Sequence, residues 1–315
     1  IMKLGTIYET AVRAGMEADP RGLPEVYRYM EKVRQDYEAL PEAKKERFDK
    51  ERLTNPYADT RLLYGDPDLK VKCLIAGIDM EIGEVMLAER LNEKGAGIDL
   101  ILAHHPEGSA MAQFYQVMHM QADIMAGYGV PVSVAEAGLP GRISEVERRV
   151  MPANHQRAVD AARLLNLPMM CIHTPCDNMV TEYLQKQLDA AEPYYLDDLI
   201  ELLNSIPEYD IASKNNAGPR IVLGDGKRRS GKIKVDMTGG TGGPKEYMAA
   251  LVRAGVSTIV GMHIGEENYK AADEAHLNVV IAGHISSDTI GMNLLLDKIE
   301  PVEVVECSGF RRIKR

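Results

Sequence analysis

Residues 100–108, LILAHHPEG, place four aliphatic residues directly before two adjacent histidines and a proline. A continuous aliphatic run of this kind is typical of a strand that is buried on both faces, as in the parallel sheets of α/β proteins. Two polar imidazoles at the end of such a strand add little to its hydrophobic burial. The stretch therefore predicts a core strand that delivers His104 and His105 to a binding site.

Short β-prone runs recur from residue 70 onward, and segments with helical periodicity separate them. The runs are KVKCLIAGID (70–79), GIDLILAHH (97–105), VPVSVAEAG (130–138), LPMMCIH (167–173), GKIKVDM (231–237), VSTIVGMHI (256–264) and LNVVIAGH (277–284). The helical segments are EIGEVMLAERLNEKG (81–95), AMAQFYQVMHMQADIMAGYG (110–129), NHQRAVDAARLLN (154–166) and GPKEYMAALVRAG (243–255). This alternation predicts an α/β fold of mostly parallel sheets flanked by helices.

The chain divides into two regions by composition. Residues 1–54 combine helical periodicity with dense mixed charge, which predicts a solvated helical extension. Residues 55–315 form the α/β region. Within it, the turn-rich segment 204–231 is the candidate crossover between two subdomains, with 55–203 packed against 232–315.

Composition narrows the function classes. The chain has 315 residues and a formal net charge of −10, so it lacks the basic surplus of nucleic-acid binders, and a nucleic-acid partner is not expected. No stretch of about 18 consecutive apolar residues is present, so no membrane span is expected. Its four cysteines include no CxxC pair, which favours reduced thiols and a cytoplasmic location.

Histidines follow three of the predicted strands. His104 and His105 end one strand, His173 ends another, and His284 ends a third. Because the carboxyl ends of parallel strands meet at one edge of a sheet, we expect these imidazoles to converge. An aspartate lies four residues after two of them: Asp177 follows His173 and Asp288 follows His284. On a helix this spacing places both side chains on one face, as in helical metal sites.

These residues predict a metal site. Consecutive side chains of an extended segment diverge, so His104 and His105 suit two neighbouring ions bridged by a carboxylate better than a single ion. Imidazole and carboxylate ligands suit zinc, iron, manganese or nickel. The alternative is that each histidine is only hydrogen-bonded within the fold, but three strand ends with histidines favour the metal.

Other side chains near these motifs have two interpretations each. Glu107 could orient a histidine or act as a general base, or it could be a surface glutamate. His263 also follows an apolar strand and could line the same site. Cys176 could be a soft metal ligand, and the favoured interpretation is a plain thiol. Three histidines within helical patterns are interpreted as structural: His119, His155 and His276.

A glycine-rich turn, TGGTGGPKE (238–246), follows the strand GKIKVDM and precedes a helix. Glycines allow backbone amides to approach an anion closely, so phosphate binding is one interpretation and a tight turn is the other. The spacing matches neither the dinucleotide fingerprint nor the P-loop. The candidate cofactor-binding residues are Gly239, Gly240, Gly242 and Gly243.

In this order, the motifs DLILAHHPEG, CIHTPCD, TGGTGG and LNVVIAGHISSD resemble the Nif-three-like family, also called GTP cyclohydrolase I type two-like. The upstream stretch DTRLLYGDPDLKVKCLIAGIDMEIGEV (59–85) is similar to the opening of that family. The resemblance covers residues 55–315. It implies two α/β layers in one protomer, a hexameric ring with the metal sites facing an interior cavity, and a dinuclear metal centre. The ligands that it implies are His104, His105, Asp177, His284 and Asp288.

The chain departs from the family pattern at several places. Asp288 replaces the usual glutamate, which puts the bridging role of this carboxylate and the spacing of the ions in question. A helical stretch near 141–166 is additional, and residues 1–54 lie outside the pattern. The motif with an acid and a histidine that usually follows the glycine turn is replaced by GMHIGEE (261–267).

The leading hypothesis is a metal-dependent hydrolase that acts on a small nucleotide or other phosphate-containing substrate through a metal-activated water. Glu107 or His173 would move the proton, and the glycine turn would seat a phosphate. The resemblance implies metal-dependent hydrolases, with cyclohydrolase activity on GTP claimed for some. A metal-binding regulatory or scaffold ring without turnover is the alternative, and a metal-free nucleotide binder ranks last because it leaves the strand-end histidines unexplained.

Overall fold

A computed structural model describes residues 1–299 and 301–315. Its strands are β1 (Met2–Lys3), β2 (Arg61–Tyr64), β3 (Lys70–Val71), β4 (Cys73–Gly77), β5 (Leu100–Ala103), β6 (Met169–Cys171), β7 (Arg220–Leu223), β8 (Lys232–Asp236), β9 (Val256–Gly261), β10 (Asn278–Ile281) and β11 (Glu303–Glu306). The first seven helices are α1 (Leu4–Glu17), α2 (Leu23–Glu38), α3 (Glu42–Lys45), α4 (Ile82–Glu93), α5 (Gly108–Ala112), α6 (Met120–Gly127) and α7 (Val132–Val150). The others are α8 (Arg157–Leu164), α9 (Thr174–Ala191), α10 (Leu196–Asn204), α11 (Pro207–Lys214), α12 (Glu246–Arg253), α13 (Glu266–Glu274) and α14 (His284–Leu296). Two 3₁₀ turns, Lys50–Leu53 and Phe114–His119, complete the secondary structure.

Two mostly parallel sheets organise the chain. The first has the strand order β11-β4-β5-β6-β2, in which only β2 runs antiparallel to its neighbour. The second has the order β7-β10-β9-β8, in which only β7 runs antiparallel. A small pair of β1 and β3 stands beside them. The predicted α/β class is therefore confirmed, and β11 carries the chain back to the first sheet after the second is complete.

Helices α9 and α14 lie between the two sheets and hold them together. On α9, Met179 belongs to the apolar core of the first sheet, whereas Val180 and Leu184 pack into the core of the second. On α14, Met292 and Ile290 divide in the same way. Both helices are buried on two sides, and two residues separate the start of each helix from the end of the preceding strand. Whatever their first turns carry is therefore held at the junction of the two sheets.

The two central helices approach each other closely at Gly291. A Cβ on Gly291 would lie 2.5 Å from the backbone oxygen of Cys176 on α9. No real Cβ tolerates that distance, so the absence of a side chain on Gly291 sets the separation of the helices. Cys176 immediately precedes Asp177 in the sequence, which ties this contact to the candidate metal ligands.

The N-terminal helices correct one sequence prediction. Residues 1–54 are helical as predicted, but α1 is not a solvated extension, because Leu4, Ile7 and Ala11 are fully buried in the core of the first sheet. Helix α2 keeps most of its charged residues exposed. The high charge density of this region comes from α2 and the segment after it. The composition of residues 1–54 as a whole therefore does not reveal the apolar face of α1. The proposed domain boundaries stay a prediction.

Residues 130–138 correct a second prediction. VPVSVAEAG is not a strand, since α7 spans Val132–Val150. The apparent alternation comes from Val132 and Val134, which are both exposed. The buried residues of this helix instead follow helical spacing: Ala135, Leu139, Ile143 and Val146. The added stretch near 141–166 is helical as expected, in α7 and α8.

The segment 204–231 contains α11 and then β7, the antiparallel edge strand of the second sheet. It therefore contributes to the second sheet and leads into it. Among the residues that the structure describes, no helix combines the length and the apolar character needed to cross a membrane.

Candidate metal centre

The candidate ligands lie where strands end and helices begin. His104 and His105 directly follow β5, His173 immediately precedes α9, and His284 is the first residue of α14. The ring centroids of His104 and His173 are 4.9 Å apart, and those of His105 and His284 are 5.2 Å apart. The structure thus brings together all four histidines that the strand-end argument selected.

Asp288, in the second turn of α14, lies at the centre of this group. Its Oδ1 is 3.3 Å from His104 Nε2. Its Oδ2 is 3.3 Å from His105 Nε2 and 3.5 Å from His284 Nε2. The two carboxylate oxygens therefore face different histidines, which is the arrangement that a bridging carboxylate requires. Asp288 can reach the histidines on both sides because α14 begins at His284, which is itself one of the group.

Asp177, in the first turn of α9, completes the group. Its Oδ1 is 3.3 Å from His104 Nε2, and its Oδ2 is 3.6 Å from His173 Nε2. The ligand atoms form two sets of three residues that share Asp288: His104, Asp177 and Asp288, and His105, His284 and Asp288. A third set, His104, His105 and His173, also has its ligand atoms within 4.8 Å of one another. We call these six residues the His/Asp cluster.

In three of the imidazoles, Nδ1 lies near an oxygen atom on the side of the ring that faces away from the cluster. His104 Nδ1 lies 3.1 Å from the carbonyl oxygen of Ile172, and His105 Nδ1 lies 2.6 Å from Asp79 Oδ1. Such a bond places the proton on Nδ1 and leaves the Nε2 lone pair directed into the cluster. Metal-binding histidines in proteins almost always have such a partner.

His173 has the most enclosed partner of the three. Its Nδ1 lies 2.8 Å from Oδ2 of Asp59, which also accepts a hydrogen bond from the Thr174 hydroxyl at 2.6 Å. The sequence prediction missed Asp59 and Asp79. Asp79 follows β4 in IAGID and had the same strand-end signal as the histidines, whereas Asp59 lies in an irregular segment and had none.

The cluster contains buried polar atoms without partners. His104, Asp177 and Asp288 are at most 3% exposed, and hydrogen bonds are absent at His104 Nε2, Asp177 Oδ1 and both carboxylate oxygens of Asp288. A buried polar atom without a partner costs about 1–3 kcal/mol, so four of them in one place call for an explanation. All four face the same space. Cations bound to the two sets of ligand atoms would satisfy all four, and the residues therefore fit a metal site.

The pKa shifts show that the histidines and carboxylates of the cluster stabilise one another's charged forms. Burial by itself would suppress the charge of His104, but the carboxylates of Asp288 and Asp177 outweigh it and raise the His104 pKa well above its usual range. Burial likewise opposes ionisation of Asp288, yet His104 and His105 hold its pKa far below the ordinary value. Burial lowers the pKa of His284. The Asp288 carboxylate is therefore ionised and attracts either protons or metal cations.

Glu107 lies apart from the cluster. It is half-buried, and burial together with the nearby carboxylates of Glu81 and Asp79 raises its pKa to about 7. It belongs to none of the three sets of ligand atoms. A cleft opens beside the cluster, and Glu107 is not among the described residues that line it. Its catalytic role stays a prediction.

A cleft opens beside the cluster and connects it to the glycine turn. His173, Asp177 and His284 line the cleft together with residues 238 and 240–243. The space amounts to about 770 Å³ when the open mouth of the cleft is included. The glycine turn, residues 238–243, is thus placed beside the candidate metal ligands.

Side chains from neighbouring helices hold the carbonyl groups of the glycine turn. Gln121 Nε2 donates to the carbonyl oxygens of Gly239 and Thr241, both at 2.7 Å, and Arg142 Nε donates to that of Gly242 at 2.9 Å. Gly239 and Gly240 have φ of 96° and 84°, which favour glycine. In the described part of the chain, nothing accepts a hydrogen bond from the amides of residues 239–243. The turn therefore keeps its N–H groups available.

The remaining histidines differ in position. His263 lines the cleft, and its ring is 5.1 Å from that of His284. His155 Nε2 lies 2.7 Å from the carbonyl oxygen of Val150, which fits a structural role. Burial lowers the pKa of His119, which lies outside the cluster, and His276 has a φ of 57° at the end of α13.

Comparison with solved structures finds relatives with this architecture. A NIF3 superfamily protein from Sphaerobacter thermophilus aligns with a TM-score of 0.67 and 29% identity, over 80% of this chain and 92% of that one. Reduced HcgD from Methanocaldococcus jannaschii aligns with a TM-score of 0.48 and 15% identity, over 78% and 87% of the two chains. Staphylococcus aureus protein SA1388 gives 0.41 and 18%, over 79% and 89%.

No protein-family profile matches the chain, and no curated protein matches it. Two of the three structural alignments have TM-scores below 0.5, so the assignment depends on the Sphaerobacter thermophilus protein. That alignment covers four fifths of this chain and nearly the whole of the relative. It confirms the resemblance drawn from the order of the motifs, because this chain is similar to a NIF3 superfamily protein in fold and at 29% sequence identity.

Proposed function

We propose that the His/Asp cluster holds two divalent transition-metal ions and that the protein is a metal-dependent hydrolase. The observation that carries the proposal is the set of buried, unpartnered ligand atoms on His104, Asp177 and Asp288. Polar atoms in a protein interior are normally paired, and these are the atoms that metal ions use. Zinc, iron, manganese and nickel all suit imidazole and carboxylate ligands.

Each ion would have three protein ligands. One would be held by His104, Asp177 and Oδ1 of Asp288, and the other by His105, His284 and Oδ2 of Asp288. Three protein ligands leave coordination positions for water and substrate, as in catalytic rather than structural sites. When bound, such a pair of ions lowers the pKa of water and polarises the bond to be hydrolysed.

The chain supplies a group for proton transfer at the same place. His173 Nε2 faces the cluster 3.6 Å from Asp177 Oδ2, and Asp59 fixes the orientation of its ring. His173 also lines the cleft, so it can exchange a proton with a group bound there. Glu107 is the alternative for this role, and its position outside the cleft favours His173.

The substrate class follows from the cleft. We propose a small nucleotide or another phosphate-containing molecule, because the glycine turn presents unpaired amides beside the cluster. The family resemblance supports the same class. It also supports a homohexamer with its sites facing a central cavity, and the four free thiols fit a cytoplasmic location.

The test is elemental analysis of the protein purified without a histidine tag or added metal, counted per chain. We expect about two transition-metal ions per chain, and loss of metal in His105→Ala but not in the control His276→Ala. The metal-loaded protein is then assayed on nucleotides and phosphate esters. A protein that contains no metal and takes up none on titration overturns the proposal. Full metal content without hydrolysis of any of these substrates favours the non-catalytic scaffold.

A further inference from the structure

Lys234 is a buried cation in the wall of the cleft. It lies on β8, 2% of its surface is exposed, and it lines the cleft together with the glycine turn. A buried ammonium is costly unless it is paired. In the described part of the chain, Asp236 provides the one acceptor for its Nζ, and the Tyr128 ring lies 5.5 Å away. An ammonium has three N–H donors, so two remain for another acceptor.

Asp236 compensates this charge only in part. The Asp236 side chain is 43% exposed, so water screens it, whereas Lys234 is enclosed. Lys232 provides a contrast on the same face of the strand, because it is exposed and its Nζ donates to the carbonyl oxygen of Tyr128. Of the two lysines, only Lys234 lines the cleft.

The glycine turn begins two residues after Asp236, which brings its amides to the same cleft as Lys234. In a trans peptide the C=O and N–H groups point in opposite directions. Gln121 and Arg142 bind the carbonyl groups of Gly239, Thr241 and Gly242. The N–H groups of the following residues, 240, 242 and 243, therefore point away from these side chains.

The position of the turn is also fixed relative to the His/Asp cluster. The Thr238 hydroxyl donates to Asn178 Oδ1 at 2.6 Å, and Asn178 directly follows the candidate ligand Asp177. Asn178 is fully buried, and its amide donates to the carbonyl oxygen of Gly15 at 3.1 Å. A group held at the turn is therefore held at a defined distance from the cluster.

We propose that Lys234 and the amides of the glycine turn form one subsite that binds the phosphate group of the substrate. A phosphate has several oxygens and up to two negative charges, which matches a set of amide donors beside one ammonium better than a neutral group does. Lys234 is the specificity-determining residue of this subsite because it supplies the charge. The inference rests on the proposed function and adds the residue that selects an anionic substrate.

The experiment measures binding of inorganic phosphate by calorimetry to the protein as purified, its Lys234→Met variant and the matched control Lys232→Met. We expect Lys234→Met to weaken phosphate binding about tenfold or more, since an ammonium–phosphate contact is a charge-assisted hydrogen bond. We expect Lys232→Met to bind as the unaltered protein does. Equal affinities in all three proteins, or no binding by the unaltered protein, overturn the subsite.

A second variant keeps the test valid if Lys234→Met does not fold. A Cβ at Gly242 would have its nearest neighbour 3.6 Å away, on Asn268, and Gly242 has no left-handed φ, so Gly242→Ala fits the fold. Its methyl group occupies the turn, and we expect phosphate binding to weaken several-fold. Unchanged binding contradicts the subsite. Metal content in the same samples tests the proposed function separately, because phosphate binding requires no turnover.

Discussion

The two junctions β6–α9 and β10–α14 have the same His-x-x-x-Asp spacing but different environments. The His173 side chain is 8% exposed and Asp59 binds its Nδ1, whereas the His284 side chain is 40% exposed and none of the described residues bonds to its Nδ1. The aspartates are alike, since Asp177 and Asp288 are both buried. The spacing therefore fixes where the carboxylates lie, while the surroundings decide what each histidine does. His173 is therefore enclosed and held in one orientation by Asp59, whereas the ring of His284 is more open.

The largest expected effect separates the two aspartates. Asp288→Asn removes the carboxylate that both ligand sets share, so we expect loss of both ions. Asp177→Asn removes a ligand from one set only, so we expect about one ion per chain to remain. Metal content per chain, measured by elemental analysis, checks both variants. If Asp177→Asn loses both ions, or Asp288→Asn keeps either, the assignment of Asp288 as the bridge is wrong.

The close contact between α9 and α14 at Gly291 tests whether the spacing of the two helices positions the ligands. In Gly291→Ala the new methyl group meets the backbone oxygen of Cys176, which cannot rotate away. We expect the free energy of unfolding to fall by about 1–3 kcal/mol, the usual cost of overpacking, and metal affinity to fall with it. Denaturant unfolding and metal titration measure the two effects.

The matched control is Gly83→Ala on α4. A Cβ on Gly83 would meet nothing within 4 Å, so the substitution adds only helix propensity. We expect the free energy of unfolding to rise by about 0.4–1 kcal/mol with unchanged metal affinity. A Gly291→Ala variant that behaves like this control would show that the contact at Cys176 relaxes at little cost and does not position the ligands.

The convergence of the histidines follows from strand topology for three of them and from helix packing for the fourth. β5 and β6 are neighbours in the first sheet, so His104, His105 and His173 had to meet at its edge. β10 belongs to the second sheet, and His284 joins them because α14 packs against α9 between the two sheets, which strand ends alone do not predict. The aspartates followed from helical spacing. Asp59 could not be predicted in this way, because it reaches His173 from an irregular segment more than a hundred residues earlier in the chain. Lys234 was missed because a lysine in a β-prone run has no local feature that distinguishes the cleft side from solvent.

The errors have a common cause. Val132 and Val134 gave α7 the local appearance of a strand, and dense charge gave α1 the appearance of a solvated segment. In both places the deciding fact is which residues another element covers. Leu4 and Ile7 are buried by the first sheet, whereas Val132 and Val134 are left in solvent. Local patterns describe the ability of a segment to be buried, and tertiary packing decides which segments are buried.

The smallest expected effect concerns the orientation of a single ligand. Asp79→Ala removes the carboxylate 2.6 Å from His105 Nδ1, so the ring loses its fixed tautomer and orientation. Losing such a partner typically costs about 10–100-fold in metal affinity, and we expect the lower end because the Asp79 side chain is 57% exposed. The loss should fall on the ion held by His105, His284 and Asp288, so that metal titration of Asp79→Ala shows one weakened site beside one unchanged site. Asp68→Ala, which removes an exposed carboxylate paired with Lys3, is the control and should leave both sites unchanged. If Asp79→Ala weakens both sites equally, the two sets do not act as separate ligand groups. The β6–α9 and β10–α14 junctions would then not differ in how they bind metal.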